Sequence, residues 1–163
     1  MKLAGYNVAS IGRWFLALGW IPTLALVGFW VSQSNEAIAA AARKPIMVSR
    51  IYTGDDGQTH VEEYSVPLSS RTEGSATELS AIQAAQGIQF RRTSPEYFLD
   101  FHNAPRRQYV ITLSGESEVE FGDGTKVRLY PGHILLAEDT TGQGHISRAL
   151  GDEDRLSIFI PLE

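Results

Sequence analysis

The sequence of 163 residues predicts an all-β fold, a sandwich or barrel, for everything that follows residue 44. Short runs rich in β-branched and aromatic residues recur along this part of the chain, and Gly, Pro, Asn and Asp separate them. No run there has the length and 3.6-residue periodicity of a long helix. Many short, evenly spaced strands are typical of antiparallel sandwiches and closed barrels.

About ten strands are predicted from the alternation of apolar and polar residues and from the turn residues that end each run. In chain order they are 46–52, 60–66, 88–92, 97–101, 108–113, 117–121, 126–129, 134–137, 146–149 and 156–162. Residues 69–77 form a polar loop, and 78–85 have the composition of a short, weak helix.

One hairpin can be predicted in detail around the turn Gly122-Asp123-Gly124. A two-residue turn would pair Phe121 with Lys126 and so mix the buried and exposed faces, which the two-residue side-chain period forbids. A three-residue turn keeps Phe121 and Val119 on one face with Val127 and Leu129. It also sets the alternate glutamates of the first strand opposite Lys126 or Arg128 on the exposed face. We therefore predict an odd-length turn and a solvated acidic stripe rather than a calcium site.

The first 44 residues have a different composition. Lys2 and Arg13 precede an uncharged apolar run from Trp14 to Val31 that Pro22 interrupts. As a helix this run would span about 27 Å, which is just enough for a bilayer core. The sequence therefore predicts an N-terminal hydrophobic helix before the β domain.

Two interpretations of that helix stay open. Small residues at Ala-x-Ala spacing in 37–42 indicate a signal peptide, whereas Trp14 and Trp30 at the ends of the run are typical of a retained anchor. Cleavage would release an exported periplasmic or extracellular protein. An uncleaved helix would contact the membrane through residues 14–31 and leave the barrel on its outer side. We thus divide the chain into 1–44, a signal peptide or anchor plus linker, and 45–163, the folded domain.

Charge and cysteine content exclude several functions. Residues 45–163 contain 10 Lys and Arg against 18 Asp and Glu, a net charge of −8, which argues against a nucleic-acid partner. The absence of cysteine excludes disulfides, thiolate zinc sites and thiol nucleophiles.

Two motifs in the domain resemble those of the cupin superfamily. The run 108–115 ends in Gly115 and is similar to the end of the first cupin motif, and Pro131-Gly132-His133 followed by His145 is similar to the second. The resemblance covers Pro45 to Glu163. It implies a double-stranded β-helix, a jelly-roll barrel, as the fold of the domain.

The resemblance also implies a metal site made by His102, Gln108 and His145, for a divalent ion such as Fe, Mn, Ni or Zn. The ligand set departs from the family pattern. Ala104 stands where the second histidine of a His-x-His pair is usual, and Gln108 stands where a glutamate is usual. Metal binding is therefore one of two expectations, and the other is that both histidines are hydrogen-bonded within the barrel.

Charged residues at the ends of these motifs are candidates for binding a small polar or anionic ligand. Because neighbouring strand residues face opposite ways, at most one of Arg106 and Arg107 points into the barrel, and the alternative for either is an ion pair. Glu138 and Asp139 precede His145 in a long loop and could supply the missing carboxylate. His60 and His133 are expected to be structural or exposed. The candidate ligand-binding residues are Arg106, Arg107, Gln108, Glu138 and Asp139.

Three functions follow, and the sequence does not decide whether the protein is an enzyme. The first is an exported or tethered small cupin that binds a small ligand in its barrel. The second is a metal-dependent cupin enzyme of dioxygenase, isomerase or decarboxylase type, and the third is an accessory subunit of a membrane complex. Cupin resemblance also implies a homodimer formed through an edge strand, with 46–52 or 156–162 as the candidates.

Overall fold

The computed structural model describes residues 43–163, and Pro45–Glu163 forms one compact unit. The predicted N-terminal helix and the signal or anchor segment lie outside the described residues. No helix capable of spanning a membrane occurs in the described part, which is built from strands and loops. The strands are β1 (Met47–Thr53), β2 (Thr59–Ser65), β3 (Ser69–Ser70), β4 (Glu78–Leu79), β5 (Gln89–Thr93), β6 (Phe98–His102), β7 (Gln108–Ser114), β8 (Glu116–Glu120), β9 (Lys126–Leu129), β10 (Ile134–Glu138), β11 (His145–Leu150) and β12 (Arg155–Pro161).

The strands form two main sheets and one small hairpin. The larger sheet has six strands in the order β2-β1-β10-β7-β12-β5, and the smaller has four in the order β6-β11-β8-β9. Neighbouring strands are antiparallel except β1 and β10, which pair in parallel. The hairpin β3-β4 lies in the connection between β2 and β5.

The hydrophobic core lies between the two main sheets. Ile51, Val110 and Phe159 from the larger sheet form one buried cluster with Val119 and Leu129 from the smaller sheet. Side chains at every second position of these strands meet there, as the pleat requires. The described residues thus form a two-sheet β-barrel around one core, and the predicted all-β fold is confirmed.

The sequence of β10 is apolar from Ile134 to Ala137 with no alternating polar residues, because both faces of this strand are covered. Leu135 belongs to the core between the sheets, whereas Leu136 belongs to a second cluster on the outer face of the larger sheet. Val48 and Leu162 are buried in the same outer cluster. A strand buried on both faces loses the polar alternation of an exposed strand.

The β8–β9 hairpin has the predicted register. Val119 pairs with Val127, and Glu118 and Glu120 pair with Arg128 and Lys126. The Phe121 N–H donates to Thr125 O at 2.9 Å and closes a three-residue turn. The odd-length turn is confirmed, because only this length keeps the apolar side chains on one face.

Two predictions about other elements were wrong. Residues 78–85 contain no helix, since Glu78–Leu79 pairs with Ser69–Ser70 as a strand instead. The candidate edge strands are internal, because β1 lies between β2 and β10, and β12 lies between β7 and β5. Strand order depends on long-range pairing, which local alternation does not encode. The edges of the larger sheet are β2 and β5.

Candidate functional site

A cavity of about 650 Å³ lies within the barrel. Apolar side chains of the core, including Val110, Leu135 and Phe159, form part of its wall. Its polar and charged lining is cationic or neutral, and the described residues that line it include no Asp or Glu. Its polar and charged side chains include Arg91, Tyr97, His102, Asn103, Arg106, Gln108, His145 and Arg155.

Two histidines meet at one side of this cavity. His102 ends β6 and His145 begins β11, and these two residues are directly paired in the sheet. Their ring centroids lie 4.4 Å apart. The preceding Gly144 has φ +77°, and a Cβ there would lie 2.2 Å from the His102 carbonyl oxygen. Only glycine allows the chain to pass this close to His102.

A buried carboxylate fixes the orientation of one of these rings. Asp139 is completely buried, and its Oδ2 lies 2.6 Å from His145 Nδ1. Thr59 Oγ1 donates to the same oxygen at 3.2 Å. Asp139 Oδ1 is buried with no hydrogen-bond partner among the described residues. The carboxylate therefore acts behind His145 rather than facing the cavity itself.

The loop between Asp139 and His145 is held by the residue that follows His102. Asn103 Nδ2 donates to the carbonyl oxygens of Thr141 at 2.5 Å and of Gly142 at 3.2 Å. The Ala104 N–H donates to Asp139 O at 3.2 Å. These bonds satisfy backbone groups of a partly buried loop and fix both histidines to one framework.

The cationic part of the cavity is formed by Arg91, Arg106 and Arg155, which make no ion pair with a carboxylate of residues 43–163. Arg155 is buried, its Nη1 donates to Ser117 Oγ, and its Nε has no partner among the described residues. Burial lowers the pKa of Arg155, and the charge of Arg91 lowers it further. The Arg91 guanidinium lies 5.1 Å from the ring centroid of Tyr97 and 5.3 Å from that of Phe159. A buried guanidinium with one neutral acceptor is an unfavourable arrangement unless an anion or water completes it.

The two adjacent arginines face different environments. Arg106 lines the cavity, whereas Arg107 bonds Glu138. Glu138 also accepts a hydrogen bond from Arg50 Nε at 2.5 Å. Burial alone would raise the pKa of Glu138, but the bonds from Arg107 and Arg50 outweigh it and lower the pKa. The structure thus places Arg107 and Glu138 in an ion-pair network outside the cavity lining, which is the alternative that the sequence left open for either arginine. Their neighbours Gln108 and Ala137 do line the cavity.

The predicted metal ligands come together, but they fit a divalent ion poorly. His102, His145 and Gln108 all line the cavity and offer two imidazoles and one neutral amide, with no anionic oxygen. The nearest carboxylate, that of Asp139, is bound to His145 and Thr59. Within residues 43–163, no three His, Asp or Glu side chains are grouped so as to hold a metal. Because the cavity also carries three arginines, its electrostatic potential favours an anion over a cation.

The other two histidines lie outside the cavity lining. His60 Nε2 lies 3.0 Å from Asp56 Oδ1 in an exposed pair. His133 is half-buried beside Tyr130, and burial lowers the pKa of its ring. Both agree with the structural or exposed roles expected from the sequence.

Sequence analysis missed Arg91, Arg155 and Thr59. Arg155 alternates with Leu156 along β12 and shares its face with Ser157 and Phe159. An arginine on the buried face of a strand is a signal that the sequence contained, because Arg is seldom fully buried without a partner. The hydrogen bond from Thr59 to Asp139 joins residues 80 positions apart, and no local pattern predicts it.

The fold and the cavity together define a small β-barrel domain with an internal cavity. No family model matches the chain, and no curated protein matches it. Among solved structures, the chain is similar to a protein from Neisseria meningitidis at 18% identity, over 48% of this chain and 76% of that one, with a TM-score of 0.38. A conserved protein of unknown function from Streptococcus pyogenes is similar at 19% identity, over 52% of this chain and 71% of that one, with a TM-score of 0.37. An RmlC-like cupin protein from Desulfovibrio desulfuricans is similar at 18% identity, over 49% of this chain and 76% of that one, with a TM-score of 0.35. Function must therefore be argued from the side chains of this chain.

Proposed function

We propose that the barrel binds a small organic or inorganic anion, a carboxylate or phosphate, in its arginine-lined cavity. The observation that supports this most directly is Arg155, a buried guanidinium whose Nε lacks a partner among the described residues. Arginine presents a planar fork of donors that suits both carboxylate and phosphate groups. The size of the cavity, about 650 Å³, suits a small metabolite rather than a polymer.

Each arginine has a distinct role in this proposal. Arg155 binds the anionic group at depth, and Arg91, whose charge acts on Arg155, binds it from the neighbouring strand. Arg106 is exposed at the cavity and attracts the anion as it enters. Gln108, which is buried, supplies neutral polar contacts. The net negative charge of the domain repels anionic polymers, whereas the local positive charge of the cavity attracts anions small enough to enter it. Together they select small anions.

The test is thermal unfolding of the full chain with phosphate or succinate at low ionic strength. Binding to the native state raises the melting temperature as ligand concentration exceeds the Kd. We expect the shift to be lost in Arg155→Met and in Arg91→Met. The matched control is Arg107→Met, which removes an arginine that lies outside the cavity lining and should keep the shift. Loss of the shift in the control, or its retention in Arg155→Met, would show that the barrel is not the site.

The same assay separates anion binding from metal binding. The uncharged chelator 1,10-phenanthroline is suitable, because chelators that are polyanions would compete for the arginines. We expect the anion-induced shift to be unchanged by the chelator. A shift that disappears with chelator and returns with added Fe, Mn, Ni or Zn would favour the metal-dependent cupin enzyme instead.

We also propose that residues 1–44 carry the domain across a membrane, as an export signal or as an anchor. The proposal rests on the basic start and the apolar run Trp14 to Val31. The mass of the mature N-terminus tests it. A mature protein that begins at one of residues 38–43 indicates cleavage of a signal peptide. A chain with an intact N-terminus in the membrane fraction indicates an anchor. An intact chain in the cytoplasmic fraction would contradict both.

A further inference from the structure

The wall of the cavity changes from cationic to apolar along strand β12. Arg155 and Phe159 both line the cavity and are four residues apart, which is about 13 Å along an extended strand. Phe159 is paired with Val110 on β7, and Val110 is paired with Leu135 on β10. These three apolar side chains are buried and line the cavity side by side. The buried guanidinium of Arg155 is therefore followed by a continuous apolar surface.

Apolar side chains also border the opening of the cavity. Ile88 directly precedes Gln89, which is paired with Phe159, and Leu99 lies on β6, the edge strand of the smaller sheet. Both side chains line the cavity, yet Ile88 is 66% exposed and Leu99 is 42% exposed. An apolar group that covers them removes apolar surface from water, which is favourable. A molecule that extends from Arg155 past Phe159 thus meets apolar side chains as far as the opening.

The cavity is larger than an anionic group alone requires. Its volume is about 650 Å³, whereas one water molecule occupies about 30 Å³ of liquid. A carboxylate bound at Arg155 leaves most of this space beside the apolar wall. Water gains few hydrogen bonds from Val110, Leu135 and Phe159, so an apolar group that displaces it is favoured.

We infer that the ligand is an amphipathic anion, a medium-chain monocarboxylate, whose charged group binds Arg155 and whose alkyl chain lies along the apolar wall to the cavity opening. This inference rests on the proposed anion site and names the class of ligand for it. Arg91 lies where the two parts of the wall meet, because its guanidinium is 5.3 Å from the ring centroid of Phe159. Different side chains recognise the charge and the alkyl chain, so that each contribution can be measured separately.

The test measures the dissociation constants of acetate, butyrate, hexanoate and octanoate for the full chain by titration calorimetry, below the concentrations at which they form micelles. We expect the Kd to fall about four-fold for each methylene added, which is the effect of burying a methylene group in an apolar site. Equal Kd values for butyrate and octanoate would contradict the inference, because the alkyl chain would then make no contact with the apolar wall.

Two substitutions of the same kind test the apolar wall itself. Val110→Thr keeps the shape of the side chain but adds a hydroxyl, which loses its water when an alkyl chain covers it. We expect this variant to weaken octanoate binding about ten-fold more than acetate binding. Val61→Thr is the matched control, since Val61 packs against the core but lies outside the cavity lining. It should keep the wild-type dependence on chain length, and cooperative thermal unfolding shows that each variant is folded.

The outcomes distinguish this inference from the proposed function. If phosphate and succinate raise the melting temperature while octanoate binds no more tightly than butyrate, the anion site stands and the alkyl-chain site is refuted. If Arg155→Met binds octanoate as tightly as the wild type does, the alkyl chain is bound elsewhere, and the inference is again refuted. If phosphate, succinate and all four monocarboxylates fail to bind, the anion site itself is refuted, and the inference is refuted with it.

Discussion

The imidazole of His145 is held by the fully buried carboxylate of Asp139, with 2.6 Å between Nδ1 and Oδ2. Removing one partner of a buried charged hydrogen bond leaves the other desolvated and unpaired. We expect Asp139→Ala to lower the free energy of unfolding by about 3–5 kcal/mol, measured by urea denaturation. A loss below about 1 kcal/mol, the value of an exposed pair, would contradict the buried geometry.

Thr59 contributes to the same network from another strand. Thr59→Val keeps the shape of the side chain but removes the donor to Asp139 Oδ2. We expect a loss of about 1–2 kcal/mol, because a hydrogen bond to a charged group is lost in a buried site. In the double variant with Asp139→Ala, this additional loss should nearly disappear. Additive losses would indicate that Thr59 acts independently of Asp139.

The conformation of Gly144 fixes the approach of β11 to β6. Gly144→Ala would introduce both a positive-φ alanine and a Cβ 2.2 Å from His102 O. Gly151 is the matched control, since its φ is +80° and nothing lies within 4 Å of its added Cβ. We expect thermal unfolding to give a loss of about 1–2 kcal/mol for Gly151→Ala from backbone strain alone, and a loss of about 3 kcal/mol or more for Gly144→Ala. Equal losses would show that the close approach to His102 is unimportant.

Arg155 is expected to oppose stability in the absence of ligand. An apolar residue of similar length avoids burying a guanidinium that has one neutral acceptor. We expect Arg155→Met to raise the free energy of unfolding by about 1 kcal/mol or more, while anion binding is lost. A large destabilisation with anion binding retained would mean that this arginine serves the core and not a ligand.

The pH dependence of stability should contain a contribution from Glu138. Its pKa is lowered in the folded state from the ordinary 4.5, against the effect of its own burial, by Arg107 and Arg50. A carboxylate whose pKa falls on folding contributes stability above its unfolded pKa and loses that contribution as pH falls through its folded pKa. Glu138→Gln should therefore lower stability at pH 7 and make little difference at pH 2, as urea denaturation at both values would show. An equal loss at both pH values would contradict the ion-pair origin.

Glu138 and Asp139 are neighbours in the chain but lie in different environments, and local sequence predicted only part of this difference. Both acids were candidates for the barrel, and alternation along β10 separates Ala137 and Asp139 from Glu138. The ion pairs of Glu138 join β10 to Arg50 of β1 and to Arg107, which directly precedes β7, so they depend on sheet order. Similarly, the convergence of His102 and His145 was expected from motif resemblance, whereas the role of Asp139 behind His145 required the folded loop.

By itself, the sequence determined the ten longer strands, the β8–β9 register and the pair of histidine-bearing strand ends, but not the short strands β3 and β4. These features depend on side-chain period, turn residues and short-range sterics, which act between neighbours in the chain. Tertiary structure decided that β1 and β12 are internal, that Arg91 and Arg155 enter the cavity, and that Thr59 and Asp139 meet behind His145. Those outcomes depend on hydrogen bonds and burial between residues far apart in sequence. The arginines of the cavity wall therefore come together only when the strands are paired.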